Sequence, residues 1–158
     1  MLKAVIFDLD GTLANTLEDL CDSTNYALEK YGFQKRELSQ FNKLVGSGVL
    51  NLIEQAMSTK PFTEEEKLRV YNCFMTHYRS NFINKSVPYE GIYDCVKELH
   101  DKGIKLAVVS NKIDEMTQKI VSELFSGEFS QVFGKVEEYP IKPDPTLTLE
   151  VIKRLGVT

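Results

Sequence analysis

Two short apolar runs without alternation stand out along the chain, Ala4-Val5-Ile6-Phe7 and Ile104-Lys105-Leu106-Ala107-Val108-Val109. Continuous apolar, partly β-branched runs of this length predict strands buried on both faces, as in a parallel sheet. Gln131-Val132-Phe133-Gly134 is a weaker third candidate. Helical periods separate them. Ile92, Cys95, Val96 and Leu99 form one stripe between Gly91 and Gly103, and Gly103 supplies a left-handed stop. From Lys112 to Phe125, the residues Ile113, Thr117, Ile120, Val121 and Leu124 repeat the pattern. A last helix is predicted from Asp144-Pro145, an N-cap followed by a first-turn proline, through Leu147, Leu149, Val151, Ile152 and Leu155 to Gly156. Strands alternating with helices predict an α/β fold with a doubly wound, Rossmann-like parallel sheet.

The stretch 15–85 reads differently, because it holds helical periods and no convincing strand. Leu17, Leu20, Thr24, Ala27, Leu28 and Tyr31 make one stripe that ends before Gly32. Thr63-Glu64-Glu65-Glu66 is a capping box opening a helix with the stripe Tyr71, Phe74, Met75, Tyr78 and Phe82. The predicted organisation is therefore a core of residues 1–14 and 86–158, with 15–85 inserted after the first strand as a helical cap. Neither an internal repeat nor a low-complexity tract interrupts it.

Composition changes this picture little. With 158 residues the chain accommodates one core and a small inserted lobe. A formal charge of −4 offers no basic footprint for nucleic acid. Cys21, Cys73 and Cys95 are odd in number and far apart, which fits reduced thiols rather than a disulfide framework. The amino-terminal apolar run meets Asp8 too soon for a signal peptide, and no run approaches the roughly 20 residues that span a bilayer. The expectation is a cytoplasmic protein with no membrane or nucleic-acid partner.

The candidate chemistry begins where the first strand ends. Ligands of open α/β sheets bind outside the carboxyl ends of the strands, where Asp8 and Asp10 fall. Strand alternation aims both carboxylates one way while Leu9 turns into the packing. Gly11 permits a sharp departure, and Thr12 offers a hydroxyl and an amide to an anion. Two carboxylates this close repel each other and a phosphate dianion alike. A hard divalent cation removes that objection, and magnesium is the usual one beside phosphate. An Asp-Gly turn after a strand is common. A strand followed by Asp-x-Asp-Gly-Thr and then a helix is much rarer.

Asp8-Leu9-Asp10-Gly11-Thr12 resembles the first motif of the haloacid dehalogenase superfamily, in its phosphatase branch. Val109-Ser110-Asn111-Lys112 resembles the second motif and Lys142-Pro143-Asp144-Pro145 the third, so the likeness runs over essentially the whole chain. Within the superfamily the chain is most similar to phosphoglycolate phosphatases, supported also by Leu44-Val45-Gly46 and Pro88-Tyr89-Glu90-Gly91. The resemblance implies a magnesium-dependent phosphatase acting on a small phosphomonoester. Asp8 would be the nucleophile that forms an aspartyl-phosphate, and Asp10 the acid and base. Magnesium would be held by the Asp8 carboxylate and the main-chain carbonyl of Asp10. Gly11, Thr12, Ser110, Asn111 and Lys142 would bind phosphate, Ser110 with amide donors from the following helix start and Lys142 by neutralising charge. Taken alone, Ser110 also reads as a helix N-cap and Lys142 as a solvated loop lysine. Gly46-Ser47-Gly48 reads either as a substrate-approach loop or as a helix–helix turn. His77 and His100 read as structural.

Other readings stay open: a sugar phosphomutase similar to β-phosphoglucomutase, or a non-catalytic binding relative. A dehalogenase is disfavoured, since Asp10 supplies an acid that dehalogenation does not need. The superfamily's fourth motif, a strand ending in acidic residues, has no counterpart before Thr158. That predicts an incomplete metal site, weak or absent activity, and a first strand left at a sheet edge where self-association can occur. It also reads as a chain shortened relative to a longer parent.

Overall fold

The computed structural model describes residues 2–157. The chain separates into two compact units, Met1–Asn15 with Val87–Thr158, and Thr16–Ser86.

The first unit is built on a parallel sheet of β1 (Ala4–Phe7), β4 (Lys105–Ile113) and β5 (Gln131–Lys135), in the order β1-β4-β5. Phe7 lies beside Val108, and Val108 beside Val132. Helices α5 (Ile92–Asp101), α6 (Asp114–Leu124) and α7 (Thr146–Leu155) pack against this sheet. Alternation along β4 sends Ala107 and Val109 to one face, where they form a core with Leu147, Val151 and Leu155 of α7. Ala4, Ile6 and Phe133 join the same cluster. A two-residue antiparallel pair, β2 (Ala14–Asn15) with β3 (Val87–Pro88), ties together the points where the chain leaves and re-enters this unit.

The second unit holds α1 (Leu17–Lys30), α2 (Leu38–Leu44), α3 (Val49–Met57) and α4 (Glu64–Asn81). The α4 capping box forms as read from sequence, Thr63 Oγ1 accepting from the Glu66 amide at 3.2 Å and Glu66 accepting from the Thr63 amide at 2.8 Å. Gly46-Ser47-Gly48 forms the connection between α2 and α3. His77 meets Ser23 Oγ at 3.0 Å and stacks on Tyr26. Asp19 is almost fully buried in this unit, its carboxylate accepting from the amides of Lys85 and Ser86 and from the Ser86 hydroxyl.

Three local expectations change. Burial on both faces holds for β4, whose residues Leu106 to Ser110 are all buried, but β1 is only half-buried throughout. The cause is strand order: β1 lies at the sheet edge, with a partner strand on one side only among the described residues. Helix α6 starts at Asp114 rather than Lys112, because β4 continues past an irregularity to pair Ile113 with Lys135. Helix α7 starts one residue beyond the proline, at Thr146, whose amide donates to Asp144 Oδ1 at 2.9 Å. The hydrogen bonds from Thr146 hold the Asp144 carboxyl below its ordinary range.

At Gly134 of β5 neighbouring backbone comes very close. A Cβ there would stand 2.5 Å from Asp114 Cα, 2.5 Å from the Lys112 carbonyl oxygen and 2.6 Å from Thr117 Oγ1. Two of the three obstacles are main chain, so neither a rotamer change nor a side-chain shift relieves them. Gly134→Ala is expected to destabilise the chain by about 3 kcal/mol, the upper end of overpacking costs. Urea denaturation would register this as a lower midpoint at unchanged slope. A midpoint equal to wild type would mean that the strand yields freely.

Candidate active site

Asp8 is the first residue after β1, and its Oδ1 accepts the Leu9 amide at 2.7 Å. Beyond it the backbone is no longer extended. The Leu9 carbonyl accepts the amides of Thr12, Leu13 and Ala14 at 3.2, 3.0 and 3.2 Å, wrapping residues 9–14 into a tight turn around one oxygen. Leu9 fills the core at zero exposure. Gly11 makes the turn feasible at φ 77°, a left-handed conformation that favours glycine. A turn, rather than strand alternation, thus carries the chain from Asp8 to Asp10. The amides of Gly11 and Thr12 are spent inside it, on Ala14 and Leu9 carbonyls, so what Thr12 keeps for an anion is its hydroxyl.

Two lysines from the neighbouring segments meet these acids. Lys142 Nζ lies 2.9 Å from Asp8 Oδ1 and donates to the Val109 carbonyl at 2.7 Å. Lys112 Nζ donates to both oxygens of Asp10, at 3.0 and 3.2 Å. The pairs differ in access: side-chain exposure is 28% for Lys142 and 43% for Asp8, against 6% for Lys112 and 15% for Asp10. Asp8 is therefore open to an incoming group, while Asp10 is held in a nearly dry environment.

The remaining predicted residues take distinct places. Ser110 is 3% exposed near the end of β4, its Oγ accepting the Lys112 amide at 3.2 Å. The Asn111 side chain engages the main chain of Lys142. Its Nδ2 donates to the Lys142 carbonyl at 3.1 Å and its Oδ1 accepts the Lys142 amide at 2.8 Å, clamping the backbone that carries the Lys142 ammonium. The Lys142–Pro143 peptide is cis. Because α6 begins only at Asp114, its amides are displaced from the Ser110 position expected to share them. Sequence reasoning misses Lys112 as a site residue. The only signal for it is a lysine directly after Ser-Asn at the end of a buried run.

The two acids, two lysines and buried hydroxyl come from β1, β4 and the loop before α7, at the carboxyl ends of adjacent parallel strands. Residues 5–158 match the family model described as haloacid dehalogenase-like hydrolase. The chain belongs to that family. It is 34% identical to a phosphoglycolate phosphatase of Aquifex aeolicus over 156 residues, covering 98% of this chain and 71% of that protein. It is 30% identical to the pyrophosphatase PpaX of Halalkalibacterium halodurans, covering 98% of this chain and 70% of the relative. Among solved structures, a candidate phosphoglycolate phosphatase from Lactobacillus delbrueckii subsp. bulgaricus superposes with a TM-score of 0.92 at 35% identity. That match covers all of this chain and 75% of the other.

Within this hydrolase family a divalent cation is the implied cofactor, and the donor set here suits a hard one. Asp8 and Asp10 offer carboxylate and carbonyl oxygens and no thiol or imidazole. Magnesium is commonly held by one or two protein carboxylates, with waters and substrate phosphate completing its shell. Among the described residues no group of three or more His, Cys, Asp or Glu is placed to hold a metal. No described helix is long and apolar enough to cross a membrane.

Proposed function

We propose that this chain is a magnesium-dependent phosphomonoesterase of the phosphoglycolate phosphatase type, working through an aspartyl-phosphate. The observation that carries the reading is the pairing of Asp8 with Lys142 at 2.9 Å, a half-exposed carboxylate beside an ammonium at the mouth of a parallel sheet.

In the first step an Asp8 carboxylate oxygen attacks phosphorus, the bond from phosphorus to the ester oxygen breaks, and Asp10, entering the step as the carboxylic acid, gives that oxygen its proton and is left as the carboxylate. In the second, Asp10 takes a proton from water, which attacks the aspartyl-phosphate, frees inorganic phosphate and restores the Asp8 carboxylate. Lys142 offsets charge shared between Asp8 and the phosphoryl oxygens. Ser110 and the Thr12 hydroxyl supply hydrogen bonds to those oxygens. Magnesium, held by the Asp8 carboxylate and the Asp10 carbonyl, would neutralise phosphate charge and let the dianion approach the acids.

With only two protein oxygens assigned to the cation, turnover by this chain is expected to be slow and to saturate only at high magnesium. The test is hydrolysis of 4-nitrophenyl phosphate and 2-phosphoglycolate across a magnesium titration. Turnover should rise with magnesium and fall to background with EDTA. Turnover unaffected by EDTA would remove the metal from the reading, and hydrolysis of no monoester at any magnesium concentration would remove the reading itself. Inorganic pyrophosphate belongs in the same assay, because similarity to a pyrophosphatase favours an anhydride as the second substrate class.

A further inference from the structure

Lys112 stands out because a lysine side chain with 6% exposure is unusual. Taking an ammonium out of water costs several kcal/mol unless a counter-charge and hydrogen bonds compensate. A core needing only volume at this position is served better by leucine or methionine. The place where this cost is met is the Asp10 carboxylate, with one Nζ donating to both oxygens.

The backbone under Lys112 is held on several sides. Its amide donates to Ser110 Oγ at 3.2 Å, and its carbonyl accepts from Thr117 Oγ1 at 3.3 Å. Ile113 next to it pairs with Lys135, and Gly134 packs directly on the Lys112 carbonyl. The ammonium is thus delivered from a rigid segment to a carboxylate that sits in a turn. An aspartate χ2 torsion is broad and intrinsically unselective. A lysine bridging both oxygens, at 3.0 and 3.2 Å, selects one orientation, and a carboxyl group has about four lone-pair sites, enough to keep that contact whether or not one oxygen carries the proton it transfers.

We propose that Lys112 is a positioning residue that sets the Asp10 carboxylate for proton transfer to the leaving group, distinct from Lys142, which acts on the phosphoryl charge. The proposal rests on the phosphatase reading and deepens it. It divides the two lysines by job: Lys142 pairs with the nucleophile and is accessible, whereas Lys112 pairs with the acid and is not.

The division has a kinetic signature. Help for the phosphoryl group is felt by every phosphate ester. Help for the proton donor is felt in proportion to how badly the leaving alcohol needs a proton. The experiment compares kcat/KM for 4-nitrophenyl phosphate, whose leaving group departs readily, with that for 2-phosphoglycolate, whose alkoxide does not. Wild type, Lys112→Met, Asp10→Asn and the double variant are assayed, with melting curves for each. Lys112→Met should lose about 10–100-fold more on 2-phosphoglycolate than on 4-nitrophenyl phosphate, part of the range general acids supply. Asp10→Asn should show the same bias, and the double variant should be no worse than Asp10→Asn alone. If Lys112→Met does not fold, Lys112→Gln, which keeps a donor on a shorter stem, carries the same comparison. Equal loss on both esters overturns the proposal, as does a double variant losing the product of the single losses. Absence of wild-type turnover on both esters overturns the phosphatase reading and this one with it, whereas an unbiased loss in an active protein overturns this one alone.

Discussion

Asp8→Asn is expected to lower turnover by about 10⁴-fold or more, the scale on which removing a nucleophile is felt, while leaving the fold unchanged. Asparagine matches aspartate in shape and its side-chain oxygen still accepts the Leu9 amide, now made to Asp8 Oδ1 at 2.7 Å. What it lacks is the charge and the nucleophilic oxygen pair. The side chain is 43% exposed, so no buried ion is orphaned by the change and the ion pair with Lys142 contributes little to stability. Loss of activity with an unchanged melting curve therefore isolates chemistry from folding. The covalent step can be read directly: acid quenching during turnover of a radiolabelled ester should trap phosphate on the wild-type chain and none on Asp8→Asn. A variant within tenfold of wild type, or one still trapping label, would place the nucleophile elsewhere.

How much of the fold is legible in the sequence depends on which forces are local. Apolar spacing identifies β4, α5 and α4, since a strand or helix shows its buried face in its own residues. The capping box at Thr63 and the turn glycine at Gly11 are legible for the same reason. Strand order is not local. The half-burial of β1 depends on which strands flank it, and no residue within Ala4–Phe7 carries that information. The β2–β3 pair is two residues on each side, too short to leave a period. The continuation of β4 to Ile113 is set by its pairing with Lys135 and by the space Gly134 leaves, across a gap that pattern reading does not bridge.

The site divides along the same line. Asp8 and Asp10 are legible as candidates because they sit in a short strand-end motif whose residue types suit phosphate chemistry, Lys142 only through the resemblance of its motif, and the structure brings Lys142 onto Asp8. Asn111 sits in a motif too, but its clamp on Lys142 joins residues 31 apart. Lys112 meets Asp10 across 102 residues, and nothing near either one announces the other. Parallel strand register creates such pairs: β1 and β4 run side by side, so the segments leaving Phe7 and Val109 arrive at the same end of the sheet.

Lys142→Met is the second large expected effect, a fall in kcat of about 10²–10³-fold, the scale of one preorganised electrostatic contact. The ammonium is held at three points: Asp8 Oδ1 at 2.9 Å, the Val109 carbonyl at 2.7 Å, and a backbone clamped by Asn111. With its position fixed before an ester arrives, the charge need not be reorganised as negative charge builds on the phosphoryl oxygens. Methionine keeps most of the length of the stem and removes the charge. If the ammonium acts mainly in the transition state, kcat falls while KM moves little; if it binds substrate and transition state alike, KM rises at constant kcat. The fixed geometry favours the first outcome. Asn111→Ala gives the graded version, keeping the ammonium but releasing its backbone, and should cost about tenfold, as modest misplacement of a catalytic group does. A Lys142→Met chain within about threefold of wild type in both constants, well short of what one such contact supplies, would return Lys142 to the status of an ordinary loop lysine. An Asn111→Ala loss exceeding that of Lys142→Met would show that the clamp serves something other than this charge.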